Sequence, residues 1–336
     1  MIFDTNIIAP WHFILLLGVF VGMFALLQIV IKTKPVSFRV YSTGKPIYYI
    51  GWLLAVLIAI PASLVLQNYM LAWGLLGATI MIILIGRLDE DRTLSVKKQL
   101  FWQSCIAAWA VYFGWAIPYI SNPFGSGVIM LSIGGVLAFV WLLICMNAMN
   151  FLDGTDGLAT SVGIIAFVAL ACISLLPATQ DARTLVLSLI AIGALLAFFL
   201  WNAPPARVYL GTSGSWFLGL FLGMTAIIGG GKIATAFIVL AIPVLDAIFV
   251  VLYRMATDKN PTKGDTVSHI HHRLQLAGMS AWGILILLGG ITALLGVVAV
   301  IAQTQIKIIF FVLFACMFFA NRAMSMGSFP SLRRRG

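Results

Sequence analysis

Apolar residues run in long blocks along this chain, separated by short polar clusters. The blocks fall near 11–31, 47–66, 69–86, 100–119, 127–146, 158–176, 184–201, 214–231, 233–253, 281–302 and 306–321. A helix that crosses hydrocarbon needs about 20 mostly apolar residues, so the pattern predicts eleven spanning helices. No stretch alternates apolar and polar positions over about ten residues, as a barrel strand would. The expected architecture is an all-α integral membrane protein, a bundle of about 11 transmembrane helices. No fixed-period repeat or low-complexity linker divides it, so residues 1–336 read as one domain.

Composition narrows the class. Hydrophobic residues make up 62% of the chain and charged residues 9%, against roughly 25% charged in soluble domains. Disorder, collagen, a disulfide scaffold and a soluble nucleic-acid binder are excluded. Cys105, Cys145, Cys172 and Cys316 lie inside apolar blocks without metal-ligand spacing and read as small hydrophobes. The first apolar block has no small-residue cleavage site after it and reads as a span rather than a removable leader.

Charge sets the orientation. With eleven spans, seventeen of the 20 Lys and Arg fall on one side, and only Arg183, Lys232 and Lys307 on the other. Cations collect on the cytoplasmic side, so the N-terminus is expected outside and the C-terminus in the cytoplasm. Eight of the ten acidic residues, and His269, His271 and His272, lie on that same cation-rich side or at the helix ends facing it. The acids have no topological reason to be there. The loops 32–46, 87–99, 147–157, 202–213 and 254–280 are therefore expected to form an active-site face.

Five clusters bear chemistry. Asp89, Glu90 and Asp91 end the third block, where a helix C-terminus disfavours anions by roughly 0.3–1 kcal/mol each. Either Arg87, Arg92, Lys97 and Lys98 compensate them, or a hard cation such as Mg²⁺ does. Asn147, Asn150, Asp153 and Asp156, with Gly154 and Gly157, exceed what helix capping requires and read as a polar pocket. Asp246 lies about 10 Å inside the end of the ninth block at 1.5 Å per residue, a depth at which an ionisable group is a functional candidate. His269, His271, His272 and Arg273 suit a diphosphate, with zinc a weaker option. Tyr209 to Ser215 form a Gly/Ser turn entering the eighth block, weak alone as an anion site.

Taken in order, these motifs resemble the polyprenyl-phosphate N-acetylhexosamine-1-phosphate transferase superfamily (glycosyltransferase family 4). The resemblance runs from about residue 39 to 274. The Asn147-to-Ala159 and His-Ile-His-His-Arg-Leu stretches are closest to bacterial undecaprenyl-phosphate GlcNAc-1-phosphate transferases. It implies a UDP-N-acetylhexosamine donor, undecaprenyl or another polyprenyl phosphate as acceptor, UMP as leaving product, and Mg²⁺ (or Mn²⁺) as cofactor. It implies catalytic roles for Asp89, Glu90 and Asp246, with Asp89, Glu90 and Thr212 at the metal. Substrate contacts would come from Lys45, Lys98, Asn147, Asn150, Asp153, Asp156, Tyr209, His269, His271, His272 and Arg273. The expected setting is the inner membrane, with a homodimer as the assembly it allows and no nucleic acid. Four positions depart from the pattern: Glu90 replaces an Asp, Gln99 a basic residue, Tyr48 and Trp52 a Pro and a Gly, and Thr212 a metal-binding Asp. The last leaves open a weak or inactive homologue; an ion-coupled transporter is the rival class.

Overall fold

The computed structural model describes residues 10–33, 38–40, 46–122, 127–228, 232–256 and 269–327. Each apolar block contains a helix: α1 (Pro10–Thr33), α2 (Gly51–Val65), α3 (Tyr69–Arg92), α4 (Val96–Tyr112), α5 (Gly134–Leu152), α6 (Leu158–Leu175), α7 (Ala182–Asn202), α8 (Gly211–Ile228), α9 (Ile233–Val239) with α10 (Ala241–Ala256), α12 (Ala281–Ile301) and α13 (Thr304–Gly327). The short α11 (Ile270–Leu276) holds the histidines. Among the described residues, α3, α5, α6, α7, α8, α12 and α13 are long and apolar enough to cross a bilayer, and α9 plus α10 add an eighth span if the pair is one. The chain is a multi-pass α-helical membrane protein. Exposed Leu84, Ile286, Leu294 and Leu313 form the kind of surface only lipid tolerates.

Helix α8 sits innermost, with almost every residue buried, including Trp216, Phe217 and Phe221. It packs on α5, where Trp141 Nε1 donates to Gly223 O at 3.1 Å, and on α3. This places the start of α8 against the ends of α3 and α5. The three polar clusters of residues 89–91, 147–156 and 211–215 therefore meet at one end of the bundle.

Three features depart from the simple span pattern. The block at 47–66 begins as a strand: β1 (Phe38–Val40) pairs antiparallel with β2 (Pro46–Tyr49), which pairs parallel with β5 (Val208–Tyr209) in the register Tyr48 to Val208 and Tyr49 to Tyr209. At the other end of α4 and α5, β3 (Tyr119–Ser121) and β4 (Val128–Met130) form an antiparallel ribbon where the sequence predicts helix ends. Short apolar runs look alike as strand or helix. The block at 233–253 is also not one straight helix: α9 and α10 meet at 68°. Pro243 explains the break, because its ring occupies the space of the carbonyl four residues earlier, that of Val239.

Candidate active site

Asp89 and Glu90 are held by neighbouring backbone and side-chain donors, with Arg87 the cation beside Glu90. Glu90 Oε1 accepts Ser213 N at 3.1 Å and Ser213 Oγ at 2.9 Å, capping the positive end of α8, and Arg87 Nη1 lies 3.2 Å from Oε2. Asp89 Oδ1 accepts Leu94 N at 2.7 Å and Gln99 Nε2 at 3.0 Å, while Thr212 Oγ1 donates to Oδ2 at 2.5 Å. Both carboxylates are buried and oriented. Gly211 is required beside them: its φ is +64°, and a Cβ there would lie 2.5 Å from Glu90 Oε1.

The loop after α5 brings the second cluster to the same place. Asn150 Oδ1 accepts Ser215 Oγ at 3.1 Å, and Asn147 Nδ2 donates to Gln103 Oε1 at 2.8 Å. Burial raises the Asp153 carboxyl well above its usual range; the Glu90 carboxylate adds to this, the Gly211 N–H opposes it, and Asp156 adds further. Asp153 is therefore biased toward its neutral form, and a bound cation would reverse the bias.

The histidine segment packs directly on this loop. An added Cβ at Gly154 would lie 2.5 Å from His271 Nε2 and 3.3 Å from His272 Nε2, so only glycine lets the two loops approach. His271 is buried and its pKa is lowered to about 3, mainly by burial and then by His272 and His269, with Asp246 opposing. It is thus a neutral imidazole, and Arg254 is the cation that lines this wall. The His269 ring stacks on Phe151, with centroids 4.9 Å apart and planes 26° apart.

These groups enclose a cavity of about 750 Å³, lined by Asp89, Glu90, Asn147, Asn150, Asp153, Thr212, His269, His271 and His272, together with Tyr49, Gln99, Phe151 and Arg254. Next to it, an apolar groove of about 270 Å³ runs between α5 and α10, lined by Val140, Leu143, Ile144, Pro243 and Val244; Asn147, Phe151, Ala247 and Ile248 border both.

Several predicted residues stand elsewhere. Asp246 does not line the cavity, because its oxygens are taken by Arg322 Nη2 at 2.9 Å, His269 Nδ1 at 2.9 Å and Ile270 N. Asp156 Oδ2 accepts Ala206 N at 3.0 Å and braces the α7–β5 connection. Tyr209 lies beside Tyr49, ring centroids 6.1 Å apart, and of the two only Tyr49 lines the cavity. Lys98 is exposed on α4, with Gln99 turned to Asp89 instead, and Arg273 lies outside the lining. Lys45 falls outside the described residues. Sequence reasoning passed over Tyr49, because it sits in an apolar block, and Arg254, because it was counted only as a flanking cation.

The donor set suits Mg²⁺, which binds through one or two carboxylates plus substrate phosphates and keeps several waters. Asp89, Glu90 and Asp153 share the cavity. Among the described residues no three acidic, histidine or cysteine side chains converge tightly enough to form a closed metal cage.

Residues 72–230 match the family model described as glycosyl transferase family 4. The chain is 33% identical over 211 residues to a probable undecaprenyl-phosphate N-acetylglucosaminyl 1-phosphate transferase of Bacillus subtilis, covering 61% of this chain and 58% of that protein. It is 29% identical over 264 residues to a decaprenyl-phosphate N-acetylglucosaminephosphotransferase of Mycolicibacterium smegmatis, covering 69% and 64%. It is 32% identical over 251 residues to a phospho-N-acetylmuramoyl-pentapeptide-transferase of Shouchella clausii, covering 70% and 74%. The match spans less than two thirds of the length of the first two.

Proposed function

This chain belongs to glycosyl transferase family 4, and on that premise we propose that it transfers an N-acetylhexosamine 1-phosphate from a UDP-sugar, most simply UDP-GlcNAc, to undecaprenyl phosphate. UMP is released, and the product starts a lipid-linked cell-envelope polysaccharide. The observation that carries this reading is one cavity whose lining brings together Asp89, Glu90, Asp153, Arg254 and three histidines, bordering an apolar groove. A substrate pair with anionic heads and one long apolar tail fits that combination. Two of the relatives named above, by name, act on undecaprenyl or decaprenyl phosphate and point the same way. The positive-inside bias favours a cytoplasmic active site in the inner membrane.

The chemistry is an in-line displacement. An oxygen of the lipid phosphate attacks the β-phosphorus of the UDP-sugar. The bond from that phosphorus to the bridging oxygen breaks, and UMP leaves with the electron pair. Catalysis of such transfers is mostly positioning and charge neutralisation. Asp89 and Glu90 would hold Mg²⁺ or Mn²⁺, which when bound supplies Lewis-acid neutralisation of the diphosphate. Arg254 pairs with donor phosphates, while neutral His271 offers a hydrogen bond. Tyr49 offers a stacking face, and Asn147 and Asn150 present amides to the nucleotide. Asp89 either accepts the proton of the lipid phosphate or binds the metal.

Purified protein given labelled UDP-GlcNAc, undecaprenyl phosphate and Mg²⁺ should yield lipid-linked sugar diphosphate and UMP one to one. Absence of transfer from every UDP-N-acetylhexosamine in a panel would overturn the proposal. It would favour a catalytically inactive homologue, the second reading, which the neutral hydroxyl of Thr212 against Asp89 supports. Asp89→Asn should lower the rate by about 10²–10³-fold, and an undiminished rate would remove Asp89 from the mechanism.

A further inference from the structure

We propose that Arg322, near the end of the last helix, is a positioning residue for this site, orienting the histidine segment through Asp246. The inference rests on the transferase reading of the cavity. Arg322 and Asp246 side chains are each 4% exposed, and Arg322 Nη2 lies 2.9 Å from Asp246 Oδ1. The guanidinium carbon stands 4.9 Å from the ring centroid of Phe249, one turn along α10. Asp246 Oδ2 meets His269 Nδ1 at 2.9 Å, and Ile270 N donates to both oxygens, at 3.1 and 3.2 Å. One carboxylate thus joins α13, α10 and the entry to α11.

The chemical consequence falls on His269. A carboxylate at Nδ1 keeps the hydrogen of a neutral imidazole on that nitrogen, leaving Nε2 as the acceptor for a ligand in the cavity. The same contact fixes the ring plane, which Phe151 supports by stacking. Arg322 does not line the cavity; it neutralises the buried carboxylate that holds the histidine. Without the arginine, the buried carboxylate loses its ion-pair partner on α13, and its hold on the ring loosens.

The test uses full-length protein in detergent, comparing wild type, Arg322→Met, Arg322→Lys, Asp246→Asn and the Arg322→Met/Asp246→Asn double variant. Modification of His269 by diethyl pyrocarbonate, followed by mass spectrometry, needs no activity. Arg322→Met and Asp246→Asn should each speed it about fivefold, with the double variant no faster than either. Arg322→Lys keeps the charge but not the planar stack and should speed it about twofold. In transfer assays Arg322→Met should raise the KM for the UDP-sugar about tenfold, with the KM for the lipid phosphate within twofold of wild type. A purely structural role would instead lower kcat through a smaller active fraction and leave both KM values alone. Wild-type His269 reactivity in Arg322→Met, or unchanged KM values, overturns the proposal. Should Arg322→Met fail to fold, Arg322→Lys decides by the same two readouts. A wild-type protein that transfers nothing sinks the transferase reading, while His269 reactivity still judges Arg322.

Discussion

Asp89 is held between two neutral side chains, Gln99 at 3.0 Å and Thr212 at 2.5 Å. The family resemblance puts a base at the first position and an acid at the second. One charge of each sign is therefore missing, and the net charge around Asp89 is conserved. Thr212→Asp alone should lower the Mg²⁺ concentration giving half-maximal rate; an unchanged or abolished rate argues against a metal role there. Gln99→Lys alone sets an ammonium where the metal would compete and should cost about tenfold in rate. Adding Thr212→Asp should recover most of that loss, giving a non-additive double-mutant cycle. Gly154→Ala drives a methyl to 2.5 Å from His271 Nε2. The expected outcome is a KM for the UDP-sugar raised about tenfold or more with little change in melting temperature, since displacements near 1 Å at a site are costly.

The break between α9 and α10 has consequences at the scale of elements. It turns α10 so that Ala247 and Ile248 border both the main cavity and the apolar groove against α5. Ala247→Trp should fill the mouth of the groove. Transfer to undecaprenyl phosphate should fall by tenfold or more, while transfer to a short-chain acceptor such as geranyl phosphate falls far less; equal losses would detach the groove from acceptor binding. Much of this level was legible beforehand. Helices appear in the apolar blocks because hydropathy reports burial in lipid, but among the described residues seven of them, or eight with the α9–α10 pair, are long and apolar enough to span. The acid and amide clusters at 89–90 and 147–153 were visible because polar residues at span ends stand out. Strands β2 and β5 were not, since two to four residues of apolar strand imitate the start of a span. Tyr49 was lost with them. Asp246 was legible as exceptional but not as a brace, because its partners lie 23 and 76 positions away along the chain.

The two ends of the bundle use charge differently. At the end opposite the cavity, Lys232 is buried and pairs with Asp181 at 2.8 Å, and Lys307 Nζ donates to Thr235 Oγ1 at 3.1 Å. Two of the three cations that counted against the topological bias are thus held inside the protein. Burial alone would raise the Asp181 carboxyl, but Lys232, Thr184 and the Arg183 N–H together hold it below its usual value. A depressed carboxylate stabilises the fold above its unfolded pKa, near 3.8, and loses that contribution as the pH falls through its lower folded value. Wild type should therefore melt higher than Asp181→Asn at pH 6 to 7, with the gap closing below about pH 3.8; a pH-independent gap would contradict the pairing. Lys232→Met should cost about 2 kcal/mol by leaving Asp181 unpaired, read from the same melts. The clamp from Arg322 to Asp246 joins residues made 76 positions apart. Every residue that lines the cavity has been made once the chain has grown past α11, yet the histidine wall lacks its anchor until α13 has entered the bilayer. A chain halted between α11 and Arg322 would carry every lining residue yet hold the histidine wall loosely, so it should bind UDP-sugar as weakly as Arg322→Met.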